Sequence, residues 1–142
     1  MQTVISNNPI NRRTILLVED EPFVRDATRT ILENAGFSVL PATNGSDAIR
    51  LYEERQAPID LVMTDMVLPG RTGQQIGEDL RQRSPLLKVL ITSGYGIARD
   101  TTEDPAADTY FLAKPYSRRD LVEKIENILN SQVLQPTGTQ PR

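Results

Sequence analysis

The feature that most restricts this chain is an alternation that repeats five times. Short apolar runs at residues 15–18, 37–40, 59–63, 87–91 and 110–112 are each followed by a stretch with helical signals. Strands separated by a dozen or more residues have room for helical crossovers, and such crossovers join parallel strands. The expected fold is α/β, a doubly wound five-stranded parallel sheet with helices on both faces. Ile15-Leu16-Leu17-Val18 is apolar without alternation, as a central strand buried on both sides requires. The second run alternates Ser38 with apolar neighbours, which suits an edge position.

Helix signals fill the gaps. Pro22 suits a first helical turn, Val24, Ala27, Ile31 and Ala35 fall on one stripe, and Gly36 can end the helix. Ser46 is the expected N-cap of a second helix over 47–55. A third covers about 72–83 and stops before Pro85, because the residue preceding a proline resists helix. The last begins at Ser117 with Asp120 three residues on, and buries Leu121, Ile125 and Ile128. Residues 1–12 are polar and contain Asn-Asn-Pro, so a flexible arm is expected there. The folded domain is then 13–131, with 132–142 a flexible tail carrying two prolines and a glycine.

Composition decides which chemistry is open. The 142 residues include neither Cys nor His, so thiolate nucleophiles, imidazole bases and imidazole metal ligands are excluded. Acid–base or metal chemistry must run on carboxylates, hydroxyls and lysines. No apolar run approaches ~18 residues and the N-terminus has no apolar core of a signal peptide, so no membrane association and a cytoplasmic location are expected. A net charge of −3 argues against direct nucleic-acid binding.

In open α/β sheets, ligands sit beyond the carboxyl ends of the strands. Strand one ends in Glu19-Asp20-Glu21, strand three in Thr64-Asp65, strand four in Thr92-Ser93-Gly94 and strand five in Ala113-Lys114-Pro115. Each motif alone has an ordinary explanation: a capped helix start, a turn before Leu68-Pro69-Gly70, a loop serine, a solvated lysine. Right-handed crossovers bring all of them to one rim. Three carboxylates there repel one another, and a hard cation such as Mg²⁺ relieves them. Glu19, Asp20 and Asp65 then balance magnesium and Lys114, leaving a neutral site ready for a phosphoryl group.

Glu19-Asp20, Asp65, Ser93-Gly94 and Lys114-Pro115 together resemble the set found in bacterial response-regulator receiver domains. The resemblance spans about residues 14–129, and Pro69 and Gly73 stand four and eight residues after Asp65, as is usual in that family. It implies a flavodoxin-like sheet of order 2-1-3-4-5, which a chemotaxis receiver exemplifies. It also implies that Asp65 accepts a phosphoryl group from the phosphohistidine of a sensor histidine kinase or histidine phosphotransfer protein. Asp20, Asp65 and the backbone carbonyl of Val67 would hold Mg²⁺, and Glu19 would act through a metal-bound water. Lys114 would pair with a phosphoryl oxygen and Ser93 would donate a hydrogen bond to one, with Gly94 keeping the approach open. Phe111 occupies the aromatic switch position, on a face made by the fourth helix, fifth strand and fifth helix. Beyond its own phosphoryl transfer and slow dephosphorylation, the chain is not expected to be an enzyme.

Departures from the common pattern are Ser93 for Thr, Leu68 for Met, Arg71 for an apolar residue and Tyr116 for Phe; none removes a catalytic group. The fourth helix is expected to be short or absent, with a mobile loop over 96–108. Ile97 is the segment's only large apolar residue, Pro105 halts propagation, and the span from Ser93 to Lys114 is about a residue short. A haloacid-dehalogenase-type phosphatase needs a second Asp where Val67 stands. A dinucleotide-binding loop at Gly94-Tyr95-Gly96 lacks its third glycine, having Arg99 there. The remaining alternative is a phosphorylation-independent pseudo-receiver acting as an interaction module. Few residues follow the last helix, so a free-standing regulator, or a receiver belonging to a larger hybrid kinase, is expected.

Overall fold

Each apolar run becomes a strand. In chain order the elements are β1 (Thr14–Val18), α1 (Pro22–Asn34), β2 (Ser38–Ala42), α2 (Gly45–Glu54), β3 (Leu61–Asp65), β4 (Val67–Leu68), β5 (Arg71–Thr72), α3 (Gly73–Arg83), β6 (Lys88–Ser93), β7 (Thr109–Ala113) and α4 (Arg118–Thr137). They come from a computed structural model that describes residues 12–55, 58–94 and 103–137. Five strands form one parallel sheet of order β2-β1-β3-β6-β7, the expected 2-1-3-4-5 with the short β4–β5 ribbon set aside. β1 is buried along its whole length, whereas β2 lies at the edge, where Pro41 breaks no central ladder.

The sheet separates two apolar layers. Ile15, Leu17, Leu61, Met63, Leu90 and Tyr110 point toward α1 and α4, where they meet Leu32, Leu121, Ile125 and Ile128. Leu16, Val18 and Val62 point the other way, onto Ala48 of α2 and Ile76 and Leu80 of α3. α4 starts as expected, with Ser117 Oγ accepting from the Asp120 amide and Asp120 Oδ2 from the Ser117 amide. It continues to Thr137, past the boundary expected at 131, because no glycine or proline interrupts the chain before Pro136. The tail expected over 132–142 is thus helical through Thr137. Residues 138–142, and the arm apart from Arg12, lie outside the described residues.

Two helix expectations need correction. The inward face of α1 carries Thr28 and Leu32, with Arg25 and Ile31 half-buried; Val24, Ala27 and Ala35 are exposed and Phe23 is 86% exposed. Apolar character misled because this face is polar where it borders the carboxyl rim. α2 begins two residues earlier than Ser46 implies. Asn44 is its cap, accepting from the Asp47 amide at 2.8 Å, while Asp47 accepts in return from the Thr43 amide.

The fourth-helix expectation falls partly on residues 95–102, outside the described residues. Between Glu103 and Asp108 there is one turn of 3₁₀ helix at Pro105–Ala107, so no α-helix precedes β7 there. This stretch is not loose: Asp104 bridges Thr109 in both directions, and the Asp108 carbonyl accepts from the Val89 amide.

Candidate functional site

The rim residues hang from hydrogen bonds that carry the ladders one step past the strands. The Glu19 amide donates to the Ala42 carbonyl at 3.0 Å, the Met66 amide to Thr92 at 2.7 Å and the Lys114 amide to Ser93 at 2.8 Å. Flanking side chains are therefore fixed by backbone rather than by loops. Beyond Asp65 the chain turns through Pro69-Gly70, where Gly70 has φ of +81°, the value that the third residue of a type II turn requires. The turn closes the ribbon, pairing Val67 with Thr72 and Leu68 with Arg71. Thr72 then caps α3 through a reciprocal box with Gln75. The first residue of α3, Gly73, donates to the Met66 carbonyl, and a side chain there would meet the Asp65 carbonyl at 2.4 Å.

Three of the expected acids meet. One carboxylate oxygen each from Glu19, Asp20 and Asp65 lie within 4.8 Å of one another, Glu19 buried, Asp65 half-buried and Asp20 exposed. Lys114 Nζ reaches in to 3.4 Å from Asp65 Oδ1 and 3.8 Å from Glu19 Oε1. Burial is the main force raising the Glu19 carboxyl above its ordinary pKa; the Glu21 amide and Lys114 oppose it, and Asp65 and Asp20 add to it. Three carboxylate oxygens at this spacing, one of them exposed at the mouth, suit a hard divalent cation such as Mg²⁺. Val67 stands two residues after Asp65, at the start of β4, and is 59% exposed.

Ser93 ends β6 at 1% exposure, and its Oγ is a buried side-chain polar atom with no hydrogen-bond partner among the described residues. Leaving a buried hydroxyl unpaired is costly, and no described residue satisfies this one. A side chain at Gly94 would meet nothing within 4 Å among the described residues. Phe111 pairs in register with Ile91, two residues before Ser93, so its ring and Ser93 share one sheet face. The ring packs half-buried on Met66, Val89 and Ile91.

Arg25 and Glu103, near the site, were not singled out from sequence, and Tyr116 was noted only for standing where Phe is common. Arg25 Nη1 donates to the Glu19 carbonyl at 2.8 Å; its place one turn after Glu21 was the available signal. Tyr116 is hydrogen-bonded to Thr28, which explains the buried threonine on α1. Glu103 accepts from the Phe111 amide at 3.1 Å and pairs with Lys124 of α4, tying the free edge of β7 to that helix. No local pattern announces that contact, because its members are far apart in sequence.

Residues 15–126 match the family of response regulator receiver domains. The sensor kinase CckA of Brucella abortus (strain 2308) is 34% identical over 122 residues, covering 84% of this chain and 13% of that protein. The response regulator receiver protein CpdR of the same organism is 35% identical over 119 residues, 82% of this chain and 97% of that one. The response regulator protein TrrA of Thermotoga maritima, solved in complex with Mg²⁺ and BeF, matches with a TM-score of 0.70 at 27% identity, covering 82% of this chain and 98% of that one.

Proposed function

Since this chain belongs to the response regulator receiver family of two-component signalling, we propose that Asp65 is its phosphoacceptor. The observation that carries this reading is the position of the Asp65 carboxylate, on the open rim between the Glu19–Asp20 pair and Lys114. Receiver domains are signalling domains rather than turnover enzymes. The chain's own chemistry is then the phosphoryl transfer onto Asp65 and the slow hydrolysis that passes the group on to water as inorganic phosphate.

In that reaction an Asp65 oxygen attacks phosphorus in line, and the bond from phosphorus to the donor imidazole breaks as the new P–O bond forms. The donor is the phosphohistidine of a sensor histidine kinase or histidine phosphotransfer protein. Phosphoryl transfer asks for positioning and charge neutralisation more than for a base, so the absence of histidine is no obstacle. Asp20, Asp65 and the Val67 carbonyl would hold Mg²⁺, with Glu19 acting through a water. The cation, when bound, supplies positive charge at the phosphoryl oxygens, and the Mg²⁺–BeF complex of TrrA supports that assignment. Lys114 pairs with a second oxygen. The Ser93 hydroxyl, which has no hydrogen-bond partner among the described residues, donates to a third. Movement of Ser93 toward the phosphoryl group vacates space on the sheet face it shares with Phe111, and the ring turns inward to fill it. The face beside β7 and α4 then changes shape.

Acetyl phosphate with Mg²⁺ tests the reading. Intact-mass measurement is expected to show one added phosphoryl group in the wild type and none in Asp65→Asn. Equal labelling of that variant would refute the assignment, and an unlabelled wild type would leave a phosphorylation-independent interaction module. No helix among the described residues is long and apolar enough to cross a membrane.

A further inference from the structure

Glu19 is fixed by all three of its polar groups. Its amide is tied to β2 through Ala42, its carboxylate to the Glu21 amide and Lys114, and its carbonyl to Arg25. The third tie matters most for the next residue. The Glu19 carbonyl belongs to the same rigid peptide plane as the Asp20 amide, so a donor that holds the oxygen also sets where Asp20 begins. Asp20 is exposed, and no described residue donates a hydrogen bond to its carboxylate. No described side chain steers that carboxylate, so where it can reach is set by where its backbone places its Cα.

Arg25 is suited to this task. It projects from the second turn of α1, whose start is fixed by the Glu21 cap, and its guanidinium is half-buried against the Glu19–Glu21 loop. No carboxylate of a described residue lies within 4.0 Å of its nitrogens, so neither an ion pair on the helix nor one across the loop competes for it. Arg29, one turn later, is by contrast exposed and engaged with Glu33.

We propose that Arg25 is a positioning residue of the acidic site: by holding the Glu19 carbonyl it aims Asp20 for divalent-cation binding. The inference rests on the metal-dependent phosphoacceptor reading above. It also makes a claim about sign. A guanidinium beside a cation site repels the cation, so if its charge were all that mattered, removing it would tighten metal binding. If it positions Asp20, removing it weakens binding in spite of the relieved repulsion. Outer contacts of this kind are worth on the order of tenfold in metal affinity.

Mn²⁺ serves as the probe, with free aquo-ion measured by its EPR signal in titrations of the full chain. The wild type, Arg25→Gln, Arg25→Lys and the control Arg29→Gln are compared, and urea midpoints are taken in chelator. Arg25→Gln is expected to bind about tenfold more weakly, Arg25→Lys to recover part of the loss, and Arg29→Gln to match the wild type, with all midpoints alike. Unchanged or tighter binding by Arg25→Gln would overturn the proposal. So would weaker binding accompanied by a matching fall in the metal-free urea midpoint, which marks a structural role alone. A wild type that takes up no Mn²⁺ would overturn the metal reading, and this inference with it. A wild type that binds while Arg25→Gln binds equally well would overturn only the inference.

Discussion

Replacing Gly73 by alanine separates the placement of Asp65 from the stability of the fold. A Cβ at Gly73 would lie 2.4 Å from the Asp65 carbonyl oxygen and 3.1 Å from its carbonyl carbon. Relief to ordinary contact needs a movement of roughly 1 Å. The obstacle is backbone, held on one side by the β3–β6 ladder and on the other by the Gly73–Met66 hydrogen bond. Overpacking of this kind costs about 1–3 kcal/mol. Alanine recovers about 1 kcal/mol by being the better helix former. The net loss of stability is then at most about 2 kcal/mol, small enough for the protein to stay folded. The displaced atoms, however, belong to the nucleophile's own residue, and a misplacement near 1 Å can slow a reaction on the order of 100-fold. Gly73→Ala is therefore expected to unfold in urea within about 2 kcal/mol of the wild type yet take label from acetyl phosphate on the order of 100-fold more slowly. Gly77→Ala is the control: its Cβ would press at 3.1 Å on a Val89 methyl, away from Asp65, and labelling should not change. A Gly73→Ala protein labelled at the wild-type rate would refute the argument that this close approach fixes the acceptor.

Three further outcomes are expected. Mg²⁺ about 100-fold above its Kd should stabilise the wild type by roughly 2–3 kcal/mol, seen as a rise in melting temperature, and Asp20→Ala should abolish most of it. Asp108→Asn should destabilise by about 3 kcal/mol in urea because it strands the Lys88 ammonium, which is 5% exposed and paired with Asp108 at 2.9 Å, whereas Lys88→Met should lose much less. Asparagine tolerates the φ of +54° at that position, so the backbone is not the cause. Burial raises the Tyr116 phenol above its ordinary value of 10.0, outweighing its bond to Thr28 and the nearby Lys114. The unfolded chain thus releases this proton first, and the stability that Tyr116 contributes is full at neutral pH and lost as pH rises past about 10. Tyr116→Phe should lack that alkaline component in urea midpoints measured against pH.

The sheet was legible because its evidence is local and redundant. Five apolar runs, the unbroken run of β1 and the serine in β2 each pointed to the strand's place, and the structure agrees. The acids, the serine and the lysine were legible for the same reason, since a strand's end is a position that sequence marks. α1 was misread where its inner face touches the site. Thr28 there meets Tyr116 and Arg25 meets a carbonyl, so its polar residues are buried by contacts that hydrophobic periodicity does not record. The start of α2 was misplaced for another reason. Asn44 caps the helix by accepting from the Asp47 amide and Asp47 accepts from the Thr43 amide, but Ser46 was the more familiar candidate. Contacts between distant segments, such as Glu103 with Phe111 and Lys124, or Lys88 with Asp108, have no signature in a single sequence.

Locating the phosphoryl group tests the central claim most directly. An acyl phosphate is reduced by borohydride to the alcohol, so a chain labelled with acetyl phosphate and Mg²⁺, reduced and digested, should carry homoserine where Asp65 stood, and nowhere else. Peptide mass spectrometry reads the position. Homoserine in place of Asp65, lost when chelator replaces Mg²⁺, is the predicted result. Homoserine in place of Glu19's neighbour Asp20, or a labelled chain with Asp65 intact, would contradict the account.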